Sequence, residues 1–429
     1  MDIKRDIYLN RLIDRMHNGM IKVVTGIRRC GKTYLLFNLF GDHLRNELNV
    51  DDVQIIELAL DAEENAACRN ASKLNEYIKS RITDKKKQYY VLLDEVQYAI
   101  DASELKNNEP PKLYGVLNGL LRMKNVDVYV TGSNSKMLSS DVMTEFRGRG
   151  DEVRVRPFSF SEFMQGFSGD KYEGWSEYLV YGGMPLVTSM KTDEQKSRYL
   201  ENLFAETYLK DIIARNNIAK NQELESLINV LASSVGSLTN PPKIEATFKS
   251  VLKSNISTNT ISTYIDALKE SFLVEEARRY DIKGRKYIGS PVKYYFEDLG
   301  LRNACLGFRQ VEAGHLMENA IYNELRTRGY SVDVGAVDAR SRKNGKLEHK
   351  QLEIDFVANL GSKRYYIQSA FNLHNAEKER QEKASMREVP DSFKKILLVS
   401  DVVKPLYDSD GILTMSIFDF LLDANSLNF

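Results

Sequence analysis

The sequence of 429 residues predicts an α/β fold, with a mainly parallel sheet covered by helices in its first part. Three observations support this prediction. Short apolar runs alternate with amphipathic stretches over residues 1–160, a pattern typical of βαβ units. The segment Gly26–Thr33 follows the first apolar run, precedes a helical pattern and matches G-x-x-x-x-G-K-[ST]. A third apolar run, Tyr89–Leu93, ends in the acidic pair Asp94 and Glu95.

The elements of this first part follow from the period of the apolar residues. Short runs of continuous apolar character predict strands over residues 21–25, 53–60, 89–93, 126–131 and 152–155. Helical spacing of the apolar residues predicts helices over residues 33–40, 74–82 and 113–121. Strands that alternate with helices in this way indicate the parallel sheet of a P-loop NTPase within a domain of residues 1–160.

The remaining sequence divides into three parts. Residues 161–222 read as a helical connector, which the turn sequence Tyr181–Pro185 interrupts. Residues 223–304 show the order of a winged helix, with helices over 245–252 and 260–272, then strands over 274–280 and 292–296 joined by a basic hairpin at 281–286. Residues 305–429 predict a helix over 316–326 followed by strands over 331–334, 351–358, 364–369 and 396–399.

Composition and charge set broad limits. The chain is 42% hydrophobic and 28% charged, which is ordinary for a soluble globular protein. Its 60 basic residues balance its 60 acidic residues, so net charge argues neither for nor against nucleic acid as a partner. Three cysteines far apart do not suggest a disulfide framework and favour a cytoplasmic location. Without a secretory signal or an apolar run of about 18 residues, we expect no membrane segment.

The residue types of the loop suit a phosphate ligand. Gly26 and Gly31 let backbone N–H groups turn inward around a phosphate, and the helix that follows directs its positive end at the same group. Lys32 supplies a positive charge to the phosphates of ATP, and the hydroxyl of Thr33 is a ligand for Mg²⁺. The candidate cofactor-binding residues are therefore Gly26, Arg29, Cys30, Gly31, Lys32 and Thr33, with ATP and Mg²⁺ as the expected cofactors.

The acidic pair supplies the second half of such a site. Asp94 is expected to hold Mg²⁺ together with Thr33, and Glu95 to act as the general base that polarises water. After the strand 126–131, either Ser133 or Asn134 can position that water. In the loop that follows, Arg149 is favoured over Arg147 as the residue that neutralises charge in the transition state, in its own subunit or in a neighbour.

Five segments together resemble the archaeal-type ATPases of the prokaryotic AAA superfamily: VVTGIRRCGKT, YYVLLDEVQ, VTGSNS, FRGRG and RPFSFSEF. YGGMP and ETYLKDII resemble the region of unknown function that follows the ATPase domain in those proteins. The resemblance implies an ATP site at Lys32, Thr33, Asp94 and Glu95, with Asn134 as the sensor and Arg149 as a candidate arginine finger. It also implies a winged helix and a C-terminal fold like that of the PD-(D/E)XK (restriction-endonuclease-like) nucleases.

A nuclease of that fold needs acids for Mg²⁺ and a lysine near them. Glu318 and Asp355 match the expected acids, but Gln368 stands where the next acid belongs and Ala370 where the lysine belongs. Glu353 shares a strand face with Asp355, and Lys363 is near in sequence, so a rearranged site is a second possibility. The sequence favours a nuclease fold without catalysis.

These patterns predict an ATP-binding and ATP-hydrolysing switch that acts on DNA or a protein partner, with a homo-oligomer as a further candidate assembly. The alternatives are an ATP-dependent nuclease or DNA-processing factor, and an ATP-binding scaffold with negligible turnover. Double-stranded DNA could meet the winged helix through its second helix, while the hairpin contacts phosphates. The residues concerned are Ser257, Thr258, Asn259, Thr260 and Thr263 on the helix, and Lys283, Arg285 and Lys286 on the hairpin.

Overall fold

A computed structural model describes residues 3–101, 103–104, 110–132, 149–216, 218, 220–343, 346–373 and 375–428. The chain forms two compact units. The first unit consists of Lys4–Arg156 together with Glu270–Phe272, and the second of Met1–Ile3, Pro157–Lys269 and Leu273–Phe429. Among the described residues, no helix has the length and apolar character needed to cross a membrane.

The first unit is built on a five-stranded sheet in which every neighbouring pair is parallel. Its strands are β1 (Ile21–Thr25), β2 (Ile55–Ala59), β3 (Tyr89–Asp94), β4 (Val126–Thr131) and β5 (Gly150–Arg154), in the order β2-β3-β4-β1-β5. The predicted parallel sheet is therefore confirmed. The helices of this unit span Asp6–Ile13, Tyr34–Phe40, His43–Glu47, Ala71–Arg81 and Lys112–Leu121, with shorter turns over Asp52–Gln54, Glu63–Arg69 and Val96–Ala99.

Burial explains why this sheet forms. Every residue of β1, β3 and β4 is buried, as expected for central strands covered on both faces. Leu74 and Ile78 of the helix Ala71–Arg81 join these strands in one apolar core. Asn70 begins that helix, because its side chain accepts hydrogen bonds from the backbone N–H groups of Ser72 and Lys73.

The second unit contains helices in its first half and a mixed sheet in its second half. Its helices span Phe160–Gly166, Lys171–Tyr181, Asp193–Asn202, Leu203–Leu209, Lys210–Asn216, Asn221–Ser233, Pro241–Ser250, Thr258–Glu270, Leu299–Cys305, Ala313–Thr327, Ala376–Arg387 and Ile417–Leu422, with short turns over Pro185–Ser189 and Ser426–Asn428. Two of them begin with a capping box, formed by Ser159 with Glu162 and by Asp170 with Glu173.

The sheet of the second unit has eight strands in the order β12-β13-β11-β10-β9-β8-β6-β7. They are β6 (Val274–Asp281), β7 (Lys286–Phe296), β8 (Ser331–Lys343), β9 (Lys346–Leu360), β10 (Lys363–Ala370), β11 (Lys394–Val399), β12 (Leu406–Tyr407) and β13 (Ile412–Ser416). The hairpin of β6 and β7 continues this sheet, because β6 pairs with β8 in parallel. The winged-helix and nuclease-like identities, and the three divisions of residues 161–429, stay predictions.

The predicted turn at Tyr181–Pro185 packs against a buried carboxylate. Gly182 has a φ of 69°, and a Cβ at this position would lie 2.5 Å from Oδ1 of Asp298. Gly183 donates its backbone N–H to Oδ2 of Asp298 at 2.7 Å. Asp298 also caps the helix Leu299–Cys305, since Oδ1 accepts the N–H of Leu301 at 2.9 Å. The close approach of Asp298 therefore requires glycine at position 182.

Candidate functional site

The loop Gly26–Thr33 lies at the carboxyl end of β1, as the motif predicts. Gly26 has a φ of 141° and Gly31 a φ of 96°, both in the region that favours glycine. A Cβ on Gly26 would lie only 2.0 Å from the carbonyl oxygen of Val155, just after β5. The loop therefore packs against the neighbouring strand so closely that a side chain at Gly26 does not fit.

Lys32 is buried within this loop. Its Nζ atom donates to the carbonyl oxygens of Gly26 at 3.0 Å and Ile27 at 3.1 Å. The ammonium group is thus held inside the loop by two neutral carbonyl acceptors. A lysine in a glycine-containing loop at the start of a helix is an arrangement that binds phosphate.

Two threonine hydroxyls hold the carboxylate of Asp94, the last residue of β3. Thr33 Oγ1 donates to Oδ2 of Asp94 at 2.8 Å, and Thr131 Oγ1 donates to Oδ1. Burial raises the pKa of Asp94, while the hydrogen bonds from Thr131 and Thr33 oppose that rise. Three elements, namely the loop after β1, β3 and β4, therefore meet at one carboxylate.

Thr131 is a site residue that the sequence analysis did not name. It ends β4, which lies between β1 and β3 in the sheet. Its hydroxyl also accepts the backbone N–H of Glu95 at 3.1 Å. The sequence did offer one indication of this role, because Thr131 is a hydroxyl residue at the carboxyl end of a buried strand. In a parallel sheet the carboxyl ends of the strands lie along one edge, where ligands bind.

Glu95 adopts a left-handed backbone conformation, with a φ of 51°. Such a conformation is uncommon for a residue with a side chain and is often found at functional sites. The side-chain amide of Gln97 donates to the carboxylate of Glu95. Backbone and side chain are thus both held in place one residue beyond Asp94.

A buried arginine supports the loop from the N-terminal segment. Arg5 donates from Nη1 to the carbonyl oxygen of Cys30 at 2.8 Å and from Nη2 to that of Arg156 at 2.7 Å. Cys30 is fully buried, and its Sγ lies 3.4 Å from the carbonyl oxygen of Val155. Cys30 therefore contributes packing to the loop. No motif around Arg5 indicated its role, which depends on contacts distant in sequence.

The structure brings most of the predicted site residues to one edge of the sheet: Gly26, Arg29, Cys30, Gly31, Lys32, Thr33, Asp94 and Glu95. Asn134, with Ser133 and Arg147, lies outside the described residues.

Arg149 lies at the opposite edge of the sheet. Its carbonyl oxygen accepts the N–H of Ile21, the first residue of β1. The loop begins after the last residue of that strand, about 15 Å away at the rise of a β-strand. The structure therefore does not bring Arg149 to the loop of its own subunit.

A second group of charged side chains surrounds Lys293 on β7. Its Nζ lies 2.8 Å from Oε1 of Glu318, 2.8 Å from Oε1 of Glu353 and 3.4 Å from Oδ1 of Asp355. Tyr295 donates its hydroxyl to the same oxygen of Glu318 at 2.7 Å. Burial raises the pKa of Glu318 to about 7, against the opposing effect of Lys293. The sequence analysis paired the acids correctly but did not find Lys293.

The predicted replacements at Gln368 and Ala370 have structural roles. Gln368 Oε1 accepts the backbone N–H of Asp355 at 3.2 Å, and Ala370 is buried. Oδ2 of Asp355 accepts hydrogen bonds from both the N–H and the hydroxyl of Ser369 at 2.9 Å. Within the described ranges, no group of three or more His, Cys, Asp or Glu side chains is arranged to hold a metal ion.

Comparisons with known proteins match two parts of the chain to domain families. Residues 18–164 match a family described as an AAA domain, and residues 172–312 match a domain of unknown function. An uncharacterized protein of Haemophilus influenzae is 32% identical over 425 residues, which cover 98% of each chain. An uncharacterized protein of Methanocaldococcus jannaschii is 26% identical over 404 residues, which cover 91% of this chain and 82% of that protein.

Among solved structures, the Walker-type ATPase of Pyrococcus abyssi is 16% identical and has a TM-score of 0.49, over 71% of this chain and 96% of that chain. This similarity is too low to support an argument about function. The family assignment depends instead on the AAA-domain match and on the relative that spans the whole chain. This chain belongs to the family of the Haemophilus influenzae protein and carries an AAA-type P-loop ATPase domain.

Proposed function

We propose that this protein hydrolyses ATP at the loop Gly26–Thr33 and uses the change of nucleotide as a switch. The observation that carries the proposal is the position of Asp94. Its carboxylate is held by hydroxyls from Thr33 and Thr131 at the edge of the sheet where Lys32 supplies a positive charge. A phosphate loop alone supports binding, whereas this second group of polar residues supports chemistry on the bound phosphates.

The donor set fits Mg²⁺, because the Thr33 hydroxyl and the Asp94 carboxylate are hard oxygen ligands on adjacent elements. Bound Mg²⁺ would offset the negative charge that develops on the phosphates. Lys32 would exchange its bonds to Gly26 O and Ile27 O for phosphate oxygens. That exchange replaces neutral acceptors by charged ones, which makes the new hydrogen bonds stronger.

Glu95 is the proposed general base. Its carboxylate would accept a proton from the attacking water, and Thr131 would fix its backbone through the 3.1 Å hydrogen bond. Asn134 remains the predicted water-positioning residue. Arg149 remains the predicted arginine finger, and its place at the far edge of the sheet favours action in a neighbouring subunit.

The test is steady-state ATP hydrolysis by the wild type and by Glu95→Gln, with Mg²⁺ present. Loss of a general base should lower kcat by about 100-fold or more. ATP binding by the same variant should be retained, because Gln keeps the shape of Glu95 and the loop is unchanged. Lys32→Ala is the matched control, since it should lose binding itself.

Each outcome separates this proposal from the alternative of a nucleotide-binding scaffold. Turnover that Glu95→Gln abolishes would support the ATPase. Negligible turnover in the wild type that Glu95→Gln leaves unchanged would reject hydrolysis and favour a scaffold. The same rates should also be measured with duplex DNA present. A higher rate of ATP hydrolysis with DNA would identify DNA as a partner of the protein.

For the alternative of an ATP-dependent nuclease, the replacements at Gln368 and Ala370 argue against catalysis. Gln368 stands where an acid belongs and accepts the backbone N–H of Asp355, and Ala370 stands where the lysine belongs. We therefore expect no Mg²⁺-dependent cleavage of plasmid DNA at high protein concentration. Cleavage that Asp355→Ala abolishes would show that the acidic centre is catalytic after all.

A further inference from the structure

Five side chains form a continuous row of rings and guanidinium groups on the sheet of the second unit. Arg278 lies 4.6 Å from the ring centre of Tyr287, and Tyr287 meets Tyr280 edge to face at 5.5 Å between ring centres. Arg364 lies 5.4 Å from the ring centres of both Tyr280 and Phe393. We call these five residues the Arg–aromatic row. Each cation faces the negative surface of a ring, which holds it in a fixed orientation.

The row presents both aromatic surface and positive charge to solvent. Tyr287 is 52% exposed and Phe393 is 41% exposed. Arg278 is exposed as well. The surface therefore combines groups that stack on flat ligands with groups that attract anions.

Three carboxylates of this region have hydrogen-bond or ion-pair partners. Asp333 is buried and accepts the hydroxyl of Tyr287 at 3.1 Å. Glu388 pairs with Lys283 at 3.3 Å. Asp391 accepts the hydroxyl of Tyr366 at 2.6 Å. Of these three carboxylates, Glu388 has a cation as its ion-pair partner, whereas Asp333 and Asp391 are held by neutral hydroxyls. The exposed positive charge that an anionic ligand meets at the row is that of Arg278.

The helix Thr258–Glu270, by contrast, offers little to duplex DNA. The hydroxyl of Thr258 donates to Glu245, and the hydroxyl of Thr263 donates to the carbonyl of Asn259 at 3.0 Å. The exposed face of this helix also carries Asp266, which pairs with Lys269 at 3.0 Å. Side chains predicted to face a major groove are thus engaged locally.

We propose that the Arg–aromatic row binds single-stranded nucleic acid. Bases would stack on Tyr287 and Phe393, while Arg278 contacts the phosphate backbone. Every base offers a flat π surface, and unpaired strands leave that surface accessible, whereas duplex DNA hides it in the helix stack. The combination of exposed rings with cations therefore selects single strands over duplexes.

The test is fluorescence anisotropy of the full-length chain with labelled oligo(dT) and oligo(U), in the absence of ATP. Tyr287→Ala should weaken binding about tenfold, whereas Tyr287→Phe, which keeps the ring, should stay within about twofold of the wild type. Arg278→Ala should weaken binding and also lower the dependence of log K on log salt by about 0.7 for one lost phosphate contact.

A matched control is Arg81→Ala in the first unit. Arg81 also stacks on a tyrosine, at 5.2 Å from the ring of Tyr77, but outside the row, so this variant should bind like the wild type.

Absence of oligonucleotide binding by the wild type at low salt would overturn the proposal. Equal loss in Tyr287→Ala and Arg81→Ala would also overturn it, as would binding of a duplex as tightly as of the single strand. Because no ATP is present, these results are independent of whether the protein hydrolyses ATP.

Discussion

The hydroxyl of Thr131 contacts both acidic residues of the nucleotide site, so its removal separates binding from catalysis. Thr131→Val keeps the shape of the side chain but removes the donor to Asp94 and the acceptor for the N–H of Glu95. We expect kcat to fall by about tenfold or more, because two groups that must be positioned lose a partner. ATP affinity should change less, since Lys32 and the loop keep their contacts.

Thr25→Val is the matched control for this prediction. Thr25 also ends a buried strand of the same sheet, but its hydroxyl donates to Glu152 at 2.5 Å and not to Asp94. Kinetic and binding constants of both variants should be measured together. An equal fall in kcat for the two variants would show a general effect of losing a buried hydroxyl and would contradict the assigned role of Thr131.

Gly26 lies against the backbone of Val155, a contact that the sequence motif does not show. Gly26→Ala places a methyl group about where the carbonyl oxygen of Val155 lies, 2.0 Å from the ideal Cβ position. The loop must move, so we expect ATP binding to weaken by about tenfold or more. Gly119→Ala is the control, because nothing lies within 4 Å of that Cβ position and Ala favours the helix Lys112–Leu121. Comparable ATP affinities in the two variants would contradict this prediction.

At the scale of secondary-structure elements, the first unit is the more predictable. The predicted bounds of β1 and β4 equal the observed ones, because short buried strands give continuous apolar runs between polar turns. The phosphate loop was predictable for a related reason, because two glycines and a Lys-Thr pair at this spacing, between a strand and a helix, are specific to phosphate-binding loops. Local patterns therefore sufficed where local constraints are strong.

Elements that depend on tertiary contacts were not predicted. The helix Ala376–Arg387 has a strongly charged sequence, and Met386 is its one buried apolar residue larger than alanine. Lys293 and Arg5 reach partners that are distant along the chain, so no spacing rule finds them. The pairing of β6 with β8 likewise depends on the complete sheet.

The turn at Gly182 and Gly183 gives a prediction about pH. Burial raises the pKa of Asp298 from an ordinary value of 3.8 to about 6. Between these values the unfolded chain releases the proton while the folded chain retains it, so the free energy of unfolding falls as pH rises. Asp298→Asn removes this titration. The difference in unfolding free energy, wild type minus variant, should therefore fall by roughly 1–3 kcal/mol between about pH 4 and pH 6.

Denaturant unfolding of both proteins over pH 3 to pH 7 measures this difference. Asp101→Asn is a control of opposite sign, because hydrogen bonds from Ser103 lower the pKa of Asp101. The unfolding free energy of the wild type minus that of Asp101→Asn should rise with pH in the acidic range below 3.8 and stay constant above it. If the difference in unfolding free energy between the wild type and Asp298→Asn stays constant from pH 4 to pH 6, the pKa of Asp298 is not raised in the folded state.

At the scale of the whole molecule, the length of β1 separates Arg149 from the phosphate loop of the same chain. Arg149 and the phosphate loop lie at opposite ends of β1, which has five residues. An arginine side chain is about 7 Å long, shorter than the length of that strand at about 3.3 Å per residue. If Arg149 completes the site, it must therefore do so in a second copy of the chain.

Mixing two inactive variants tests this requirement. Lys32→Ala should not bind ATP but still carries Arg149, whereas Arg149→Ala should bind ATP but lacks the arginine. If Arg149 acts in a neighbouring subunit, the mixture should hydrolyse ATP well above the sum of the separate rates, since a mixed pair contains one complete site. The rate per protomer of the wild type should also rise with concentration where the oligomer dissociates. An Arg149→Ala variant with full activity would remove Arg149 from the mechanism, whereas an inactive variant that Lys32→Ala cannot rescue would show that it serves its own subunit.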